Sequence, residues 1–528
     1  MVIYVAVAVT ELGKYFNRIF HFLLSVYSKI GSTLTLKRVH RYYNLLSLSL
    51  KMPANDFEST QLAPEPETTP QEREKLRTYW EAYAEQPTIE SMMLNANAQE
   101  IEESDRSDVL DGLPENMRNM SVLEIGAGIG RFTKPLAERS RDVLATDFIK
   151  SFVDKNEELH RHMGNVSFMT GDAVTLTQDP GSRDMVFTNW LLMYLTDEET
   201  SRFFFNVLRW LRPGGYMHMR ESCTESSTRS KKKCTGDNPT FYRHISSYLA
   251  MLRGIQWTDE HGNSWRLKPL WSRSINTYVY AKNNYRQCQM LIRKVPATKS
   301  ISHKPLATVA EVVGTARQAH QEQASVEAQL PAQLANDQRV IDRLMDSQEE
   351  GTRITHVLNL SPKEVCCFDI AEKFGCAVTG VLSDPFEYAA FLTEATNRQN
   401  KLVRFQWSCM EEGGWKLPPN CADFVICGQL SSTTGNSAWL SKCLRQSLRP
   451  NGQFLITSTA NGFLLDSLLK EFGLLTVVPF SFGGNSRDSA SSDEEVKDYK
   501  CTKRHQKERQ SVDSLDSGIT DFPVVASS

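Results

Sequence analysis

MSVLEIGAGIGRF, residues 120–132, reads as a buried strand that runs into a glycine-rich turn and then a helix. Val122, Leu123 and Ile125 supply the apolar run of a central strand. Gly126, Gly128 and Gly130 follow where a side chain would block a ligand approaching the backbone. Such turns cradle nucleotide-like ligands, and they also occur where a strand-to-helix connection is merely tight. The spacing of the next elements separates the two cases. Asp147 closes DVLATD 21 residues after Gly126, at the end of a second parallel strand, where a carboxylate can accept from both hydroxyls of a ribose. VSFMTGDA ends a third apolar run at Asp172, suited to accept from an adenine amino group, with the Ala173 amide beside it. DMVFTNW (184–190) is a fourth strand ending at Asn189, and WLRPGGYMHM (210–219) gives a helix end, a Pro-Gly-Gly turn and a fifth strand. The expected fold is α/β, with a Rossmann-like parallel sheet.

These four features together resemble the class I S-adenosylmethionine-dependent methyltransferases. A nicotinamide dehydrogenase would share the first two and not the last two at these distances. YWEAYAEQPTIESMMLNANA (79–98), VLEIGAGIGRFT (122–133), FTNWLLMYLTDEE (187–199), GGYMHMRESC (214–223) and NPTFYR (238–243) are similar to the first domain of phosphoethanolamine N-methyltransferases. That family makes phosphocholine by methylating phosphoethanolamine on nitrogen. Plant members carry two methyltransferase domains, and nematodes divide the steps between two proteins, the one with its intact domain first performing the first methylation. The resemblance covers roughly residues 70–295. It implies S-adenosyl-L-methionine as methyl donor, no metal, and Gly126, Gly128, Arg131, Asp147, Asp172, Ala173 and Asn189 as its binding residues. Helix RFTKPLAERS points its first amides at the glycine turn, which suits the carboxylate of the donor's methionine part. Arg131 pairs with that carboxylate, or is a solvated helix residue.

The acceptor has two chemically different ends. Its phosphate matches an arginine fork with tyrosine hydroxyls, and Tyr242 and Arg243 in NPTFYR are the preferred contacts, with Asn238 and Thr240 nearby. Lys231, Lys232 and Lys233 just upstream read as a solvated steering loop. The amine titrates near ~10, so about one molecule in a thousand is neutral at pH 7 and a proton must leave before attack. In single-domain protozoan members of the family a Tyr–His pair is credited with this. The histidine position of that pair corresponds here to Tyr194, so Tyr194 and Tyr79, directly or through water, are the candidate catalytic groups. His218 and His244 are close in sequence, but a lone histidine is more often structural. Trp190 is a candidate to face the cationic groups, or else a core residue. Tyr79, Trp80 and Tyr83 recur on one face of a helix beginning near Gln71, a lid over the donor by resemblance or a pack on the sheet edge by pattern.

The chain has 528 residues, a net charge of −3 and 40% hydrophobic residues, which bounds it to two or three globular units and argues against nucleic-acid binding. Eleven cysteines, none before Cys223 and none in Cys-x-x-Cys spacing, indicate a reduced, cytoplasmic setting. Residues 1–70 form a leader and linker. Seven basic residues against the single acid Glu11 in 1–51, with Phe16, Ile19, Phe20, Leu23, Leu24, Tyr27 and Ile30 at helical spacing, read as a dispensable leader or as a helix making weak membrane-surface contact. Residues 71–295 are the catalytic domain, in which TYVYAK (277–282) is expected as its last antiparallel strand. Residues 296–350 are a helical spacer broken by Pro331.

Residues 351–482 look like a worn copy of the first domain. HVLNLSPKEV (356–365) stands for VLEIGAGIGR, TGVLSD (379–384) for LATD, ADFVICGQL (422–430) for DMVFTNWLL and LRPNGQFLI (448–456) for LRPGGYMHM. Ser361, Pro362 and Lys363 replace the glycines, and proline lacks the amide such a turn offers. This half is expected to be folded and non-catalytic, so that a single methylation is the output and later steps fall to a partner methyltransferase. Residues 483–528 read as a disordered tail, with DSLDSGITD as a modification site of little weight. The competing readings are a methyltransferase for another small amine or headgroup, and a non-catalytic regulatory subunit.

Overall fold

The computed structural model describes residues 70–456, apart from 86, 228–238, 298–307, 335–337, 412 and 428–436, together with 478–480 and 498–502. The leader 1–51, the linker up to residue 69, Lys231–Lys233 with Asn238, and DSLDSGITD lie outside the described residues.

Three helices come first, α1 (Pro70–Ala84), α2 (Ile89–Met93) and α3 (Ala98–Asp111). Strands and crossover helices then alternate: β1 (Ser121–Ile125), α4 (Thr133–Ala137), β2 (Asp142–Asp147), α5 (Lys150–His160), β3 (Val166–Thr170), β4 (Arg183–Asn189), α6 (Asp197–Trp210) and β5 (Leu211–Ser222). They are followed by α7 (Ile245–Gly254), β6 (Gln256–Thr258), β7 (Ser264–Ser274), α8 (Asn276–Lys282) and β8 (Gln287–Pro296). The strand order is β3-β2-β1-β4-β5-β8-β7, parallel up to β5, with β8 antiparallel to both of its neighbours. Every residue of β1 is buried, as a strand covered on both faces requires. The Pro-Gly-Gly segment shifts the β4–β5 register between Arg183 and Met185, with Gly214 at φ +80°.

The later half repeats this plan. It contains α9 (Val309–Gln333), α10 (Gln338–Glu349), β9 (His356–Asn359), α11 (Cys367–Phe374), β10 (Ala377–Leu382), α12 (Pro385–Arg398), β11 (Val403–Ser408), β12 (Ala422–Cys427), α13 (Ser437–Ser447), β13 (Leu448–Ile456), β14 (Val478–Phe480) and β15 (Asp498–Thr502). Its order, β11-β10-β9-β12-β13-β15-β14, has the first copy's directions, including the antiparallel sixth and seventh strands. The copies join edge to edge: β11 pairs antiparallel with β7, Trp407 opposite Ser272, giving one 15-stranded sheet among the described residues.

Three expectations are corrected. TYVYAK is helix α8: Asp108 Oδ2 accepts from the Thr277 amide and hydroxyl at its start, Asn283 ends it at φ +50°, and Tyr278 and Val279 are buried while Tyr280 is exposed. Side chains adjacent in sequence that share a buried face do not fit a strand's alternation. The 296–350 connector is not a loose spacer, because α9 packs against α6, α7 and α12, and it runs through Pro331 to Gln333. The tail contributes a strand, since Asp498–Thr502 pairs with β13 in the place β8 takes beside β5. Pairing to a formed edge supplies the partner that a polar pentapeptide lacks alone.

Phe405 of β11 is buried against Phe391 and Phe368, at ring separations of 4.8 and 5.8 Å. We expect Phe405→Ala to lower stability by about 3–5 kcal/mol in denaturant unfolding; a loss under about 1 kcal/mol would contradict this core.

Candidate active site

The parallel strands of the first copy reverse direction of assembly between β1 and β4, and their carboxyl ends open there into a cleft. The cleft encloses about 1250 Å³ of atom-free space, part of it open to solvent. Of the sequence-selected residues, Gly126, Gly128, Arg131, Asp147, Asp172, Ala173, Asn189, Trp190, Tyr194 and Tyr242 line it, and Tyr79 and Arg243 do not.

The glycine turn has φ +73°, +55° and +92° at Gly126, Gly128 and Gly130, the left-handed region that disfavours side chains. A Cβ on Gly130 would fall 2.2 Å from Asn156 Oδ1, so this glycine lets α5 approach and does not face the ligand. The turn is held by Asp147, whose Oδ2 accepts from Gly128 N at 2.9 Å and Oδ1 from Ile149 N at 3.0 Å. Burial raises the Asp147 carboxyl to about 6 against those same amide bonds. Beside it, Glu124 of β1 also lines the cleft, with Thr133 Oγ1 donating to its Oε2 at 2.6 Å. Burial, with the Asp147 charge adding, pushes Glu124 up to about 8 against that one bond.

Asp172 accepts at Oδ1 from Val174 N at 3.0 Å and from Arg73 Nη2 of α1 at 2.5 Å. Arg73 Nε stands 3.4 Å from Glu199 Oε1, so one guanidinium ties the first helix to the third-strand acid and to α6. Trp80 of α1 meets the rings of Tyr194 and Phe152 edge-on at 5.4 and 6.3 Å. Met92 of α2 is close enough to Gly128 that a Cβ there would lie 3.1 Å from its sulfur. The first two helices therefore cover the cleft.

Arg131 Nη2 pairs with Asp105 Oδ2 at 2.7 Å and its Nε with Glu102 Oε1 at 3.3 Å, while Nη1 is buried with no hydrogen-bond partner. Asn189 Oδ1 is likewise buried and unpartnered. Such orphaned atoms on a cleft wall call for a polar ligand. Trp190 follows at φ +57°, a strained conformation for a bulky residue. It is fixed by Trp190 N to Arg220 O at 2.7 Å, by Nε1 to Gln287 Oε1 at 3.1 Å, and by the buried Arg220 guanidinium 3.4 Å over its ring. One indole face is thus already occupied by a cation.

Glu221 accepts from the amides of Leu191, Leu192 and Met193 at 3.1, 2.9 and 3.2 Å and so shapes the turn that presents Tyr194. Burial, against those bonds, raises its carboxyl to about 7. Burial and then Tyr79, Tyr242 and Glu221 raise the Tyr194 phenol well above 10. The phenol is therefore protonated at neutral pH. Tyr79 packs on Trp80 and Tyr83 at 5.6 and 5.5 Å, behind the wall.

Arg243 is a correction. Its Nε donates to Asp197 at 2.6 Å, Nη1 to Leu192 O at 3.0 Å and Nη2 to Leu195 O at 2.6 Å, all with the side chain buried. With its donors spent on α6 and the 192–195 turn, it has no fork left for a phosphate. His218 is buried in the sheet, stacked on Phe187, and burial lowers it to about 4, so it stays neutral; neither it nor His244 lines the cleft. Sequence reasoning passed over Arg73, Glu124, Ser222, Ser226 and Ser227, which do line it. Glu124 was visible as a lone acid inside an apolar strand; the others carried no local signal.

Residues 122–215 match the methyltransferase domain model. The chain is 40% identical over 343 residues to phosphoethanolamine N-methyltransferase 1 of Caenorhabditis elegans, covering 64% of this chain and 72% of that protein. The chain belongs to the phosphoethanolamine N-methyltransferase family. It is 41% identical to a Triticum aestivum member over 231 residues, covering 43% of this chain and 46% of that relative. Among solved structures of the family it is similar to Haemonchus contortus phosphoethanolamine N-methyltransferase 1 in complex with phosphoethanolamine and S-adenosylhomocysteine. The identity is 32% and the TM-score 0.69, over 82% of this chain and 97% of that one. The fold is the Rossmann-like methyltransferase fold, carried twice. Among the described residues no helix is long and apolar enough to cross a membrane, and no cluster could hold a metal ion.

As pH falls through about 6, Asp147 protonates and loses acceptor capacity, so donor affinity is expected to be full above that pH and to weaken below it. Asp147→Asn is expected to bind S-adenosylmethionine roughly 10–100-fold more weakly at pH 8 by calorimetry, with the pH step gone. Glu124 holds a proton in the folded state between 4.5 and about 8 that the unfolded chain has released, so it lowers stability as pH rises across that window. Glu124→Gln should therefore gain Tm relative to the unliganded wild type between pH 5 and pH 8; parallel curves would refute this.

Proposed function

We propose that this chain transfers a methyl group from S-adenosylmethionine to the amine nitrogen of phosphoethanolamine, giving phosphomonomethylethanolamine. The observation that carries the reading is the cleft itself. A glycine turn, two acids at neighbouring strand ends and two orphaned polar atoms fit an adenosyl amino acid, in a chain of this family. Asp147 would hold the ribose, Asp172 and the Ala173 segment the adenine, and Arg131 Nη1 with Asn189 the amino-acid end. The bound donor supplies a methyl group activated by the sulfonium.

The protein's own part is to seat a neutral amine in line with that methyl group. The N–C bond forms as the C–S bond breaks, the amine loses one proton to solvent, and the sulfonium becomes a neutral thioether. Tyr194, buried between Trp80 and the donor cleft, holds the amine through its hydroxyl and passes the proton on, with Tyr79 behind it. Trp190, backed by Arg220, fixes the wall opposite. The phosphate role assigned to Arg243 passes to Tyr242 with Ser226 and Ser227. These leave one junction, where Thr224 N donates to Arg243 O at 3.0 Å.

The worn copy cannot do the same. Asn359 fills its turn, donating to Val365 O at 2.7 Å and accepting from Ser361 N at 2.8 Å. Asp384, the counterpart of Asp147, instead caps α12 by accepting from Phe386 N and Glu387 N at 2.8 and 2.9 Å. We expect one methylation from this chain, with a partner methyltransferase for the later ones.

In an assay of the full chain with phosphoethanolamine and its mono- and dimethyl forms, we expect turnover of the first alone. Tyr242→Phe should raise the KM for phosphoethanolamine about tenfold. Turnover of all three would refute single methylation, and no turnover of any would refute the substrate.

A further inference from the structure

Gln323 lies in the middle of α9 and is fully buried. A buried amide persists only where both its ends are satisfied, and here they are. Its Oε1 accepts from Ser246 Oγ at 2.6 Å, and its Nε2 donates to Phe386 O and to Glu327 Oε1, each at 3.2 Å. Ser246 belongs to α7, four residues after Tyr242, whereas Phe386 opens α12 of the worn copy. One turn along α9, Glu327 Oε1 accepts from Thr393 Oγ1 of α12 at 3.1 Å and stands 3.3 Å from His244 Nδ1.

The helix thus links the second copy to the stretch that carries Tyr242 into the cleft. Immediately around Tyr242 that stretch is fixed by Phe241 N to Met193 O at 2.6 Å and by the Arg243 clamp. Tyr242 stands between two tethers, one within the catalytic copy and one reaching out of it. A buried amide satisfied at both ends, as Gln323 is, specifies one arrangement where an apolar contact would tolerate several.

We propose that the worn copy, acting through Gln323 and Glu327 of α9, positions segment 241–246 and so sets the affinity for the acceptor. This rests on the reading of Tyr242 as an acceptor contact. Gln323 and Glu327 are positioning residues, since neither lines the cleft. The donor end, built from β1, β2 and β3, lies outside this tether, so donor binding is independent of it.

The test uses the full chain, with phosphoethanolamine varied in steady-state kinetics and S-adenosylhomocysteine titrated by calorimetry. Gln323→Leu is expected to raise KM about tenfold, leave kcat within about twofold and leave S-adenosylhomocysteine affinity unchanged. Gln323→Glu, which keeps the acceptor for Ser246 but loses the donor to Phe386 O and sets a second carboxylate against Glu327, should raise KM at least as much as Gln323→Leu. Ser246→Ala, a small deletion that spares the fold if Gln323→Leu does not, should raise KM about threefold with the same split. Unchanged KM in the variants, or KM, kcat and inhibitor affinity worsening together with Tm, would overturn the proposal alone. Absence of wild-type turnover would overturn the substrate reading with it.

Discussion

The cleft depends on one carboxylate. Asp147 at the end of β2 accepts from the backbone of the glycine turn after β1 and from its own following loop, so two strand ends and a helix entrance are locked by a single buried side chain. The left-handed glycines make the turn possible, but the carboxylate makes it definite. The second copy shows the consequence of losing this link. The same strand order is present, and its corresponding acid, Asp384, has turned to cap a helix while Asn359 occupies the turn. Fold and this link are thereby separable: the strand order is kept in the second copy while its acid makes a different set of bonds.

The frame of the first copy was legible because strands covered on both faces leave apolar runs and because glycine spacing is local. Val122–Ile125 form the buried strand, and Ile125, Asp147, Asp172 and Asn189 line one cleft as their spacing implies. Arg243 was misread since an arginine beside a tyrosine resembles a phosphate clamp in sequence, and only the fold brings Asp197 and two carbonyls to consume its donors. TYVYAK alternates like a strand, yet the Asp108 cap offered from α3 starts a helix there. The strand at Asp498–Thr502 gave no signal because its partner edge is formed by residues far earlier in the chain.

Electrostatics in and behind the cleft wall follow burial more than pairing. Glu124, Asp147 and Glu221 are all raised by desolvation, while Arg131 and Arg220 share Asp105 and retain unpartnered nitrogens. The aromatic side chains of Trp80, Tyr194 and Trp190 line the cleft.

The most direct test of a single working pocket is the stoichiometry of S-adenosylmethionine binding to the full chain, measured by calorimetry with an independently determined active concentration. One donor per chain is expected, lost in Gly128→Val, whose side chain would meet Met92 in the left-handed turn. Two donors per chain, or one that survives in Gly128→Val, would place a functional pocket in the second copy and contradict the assignment.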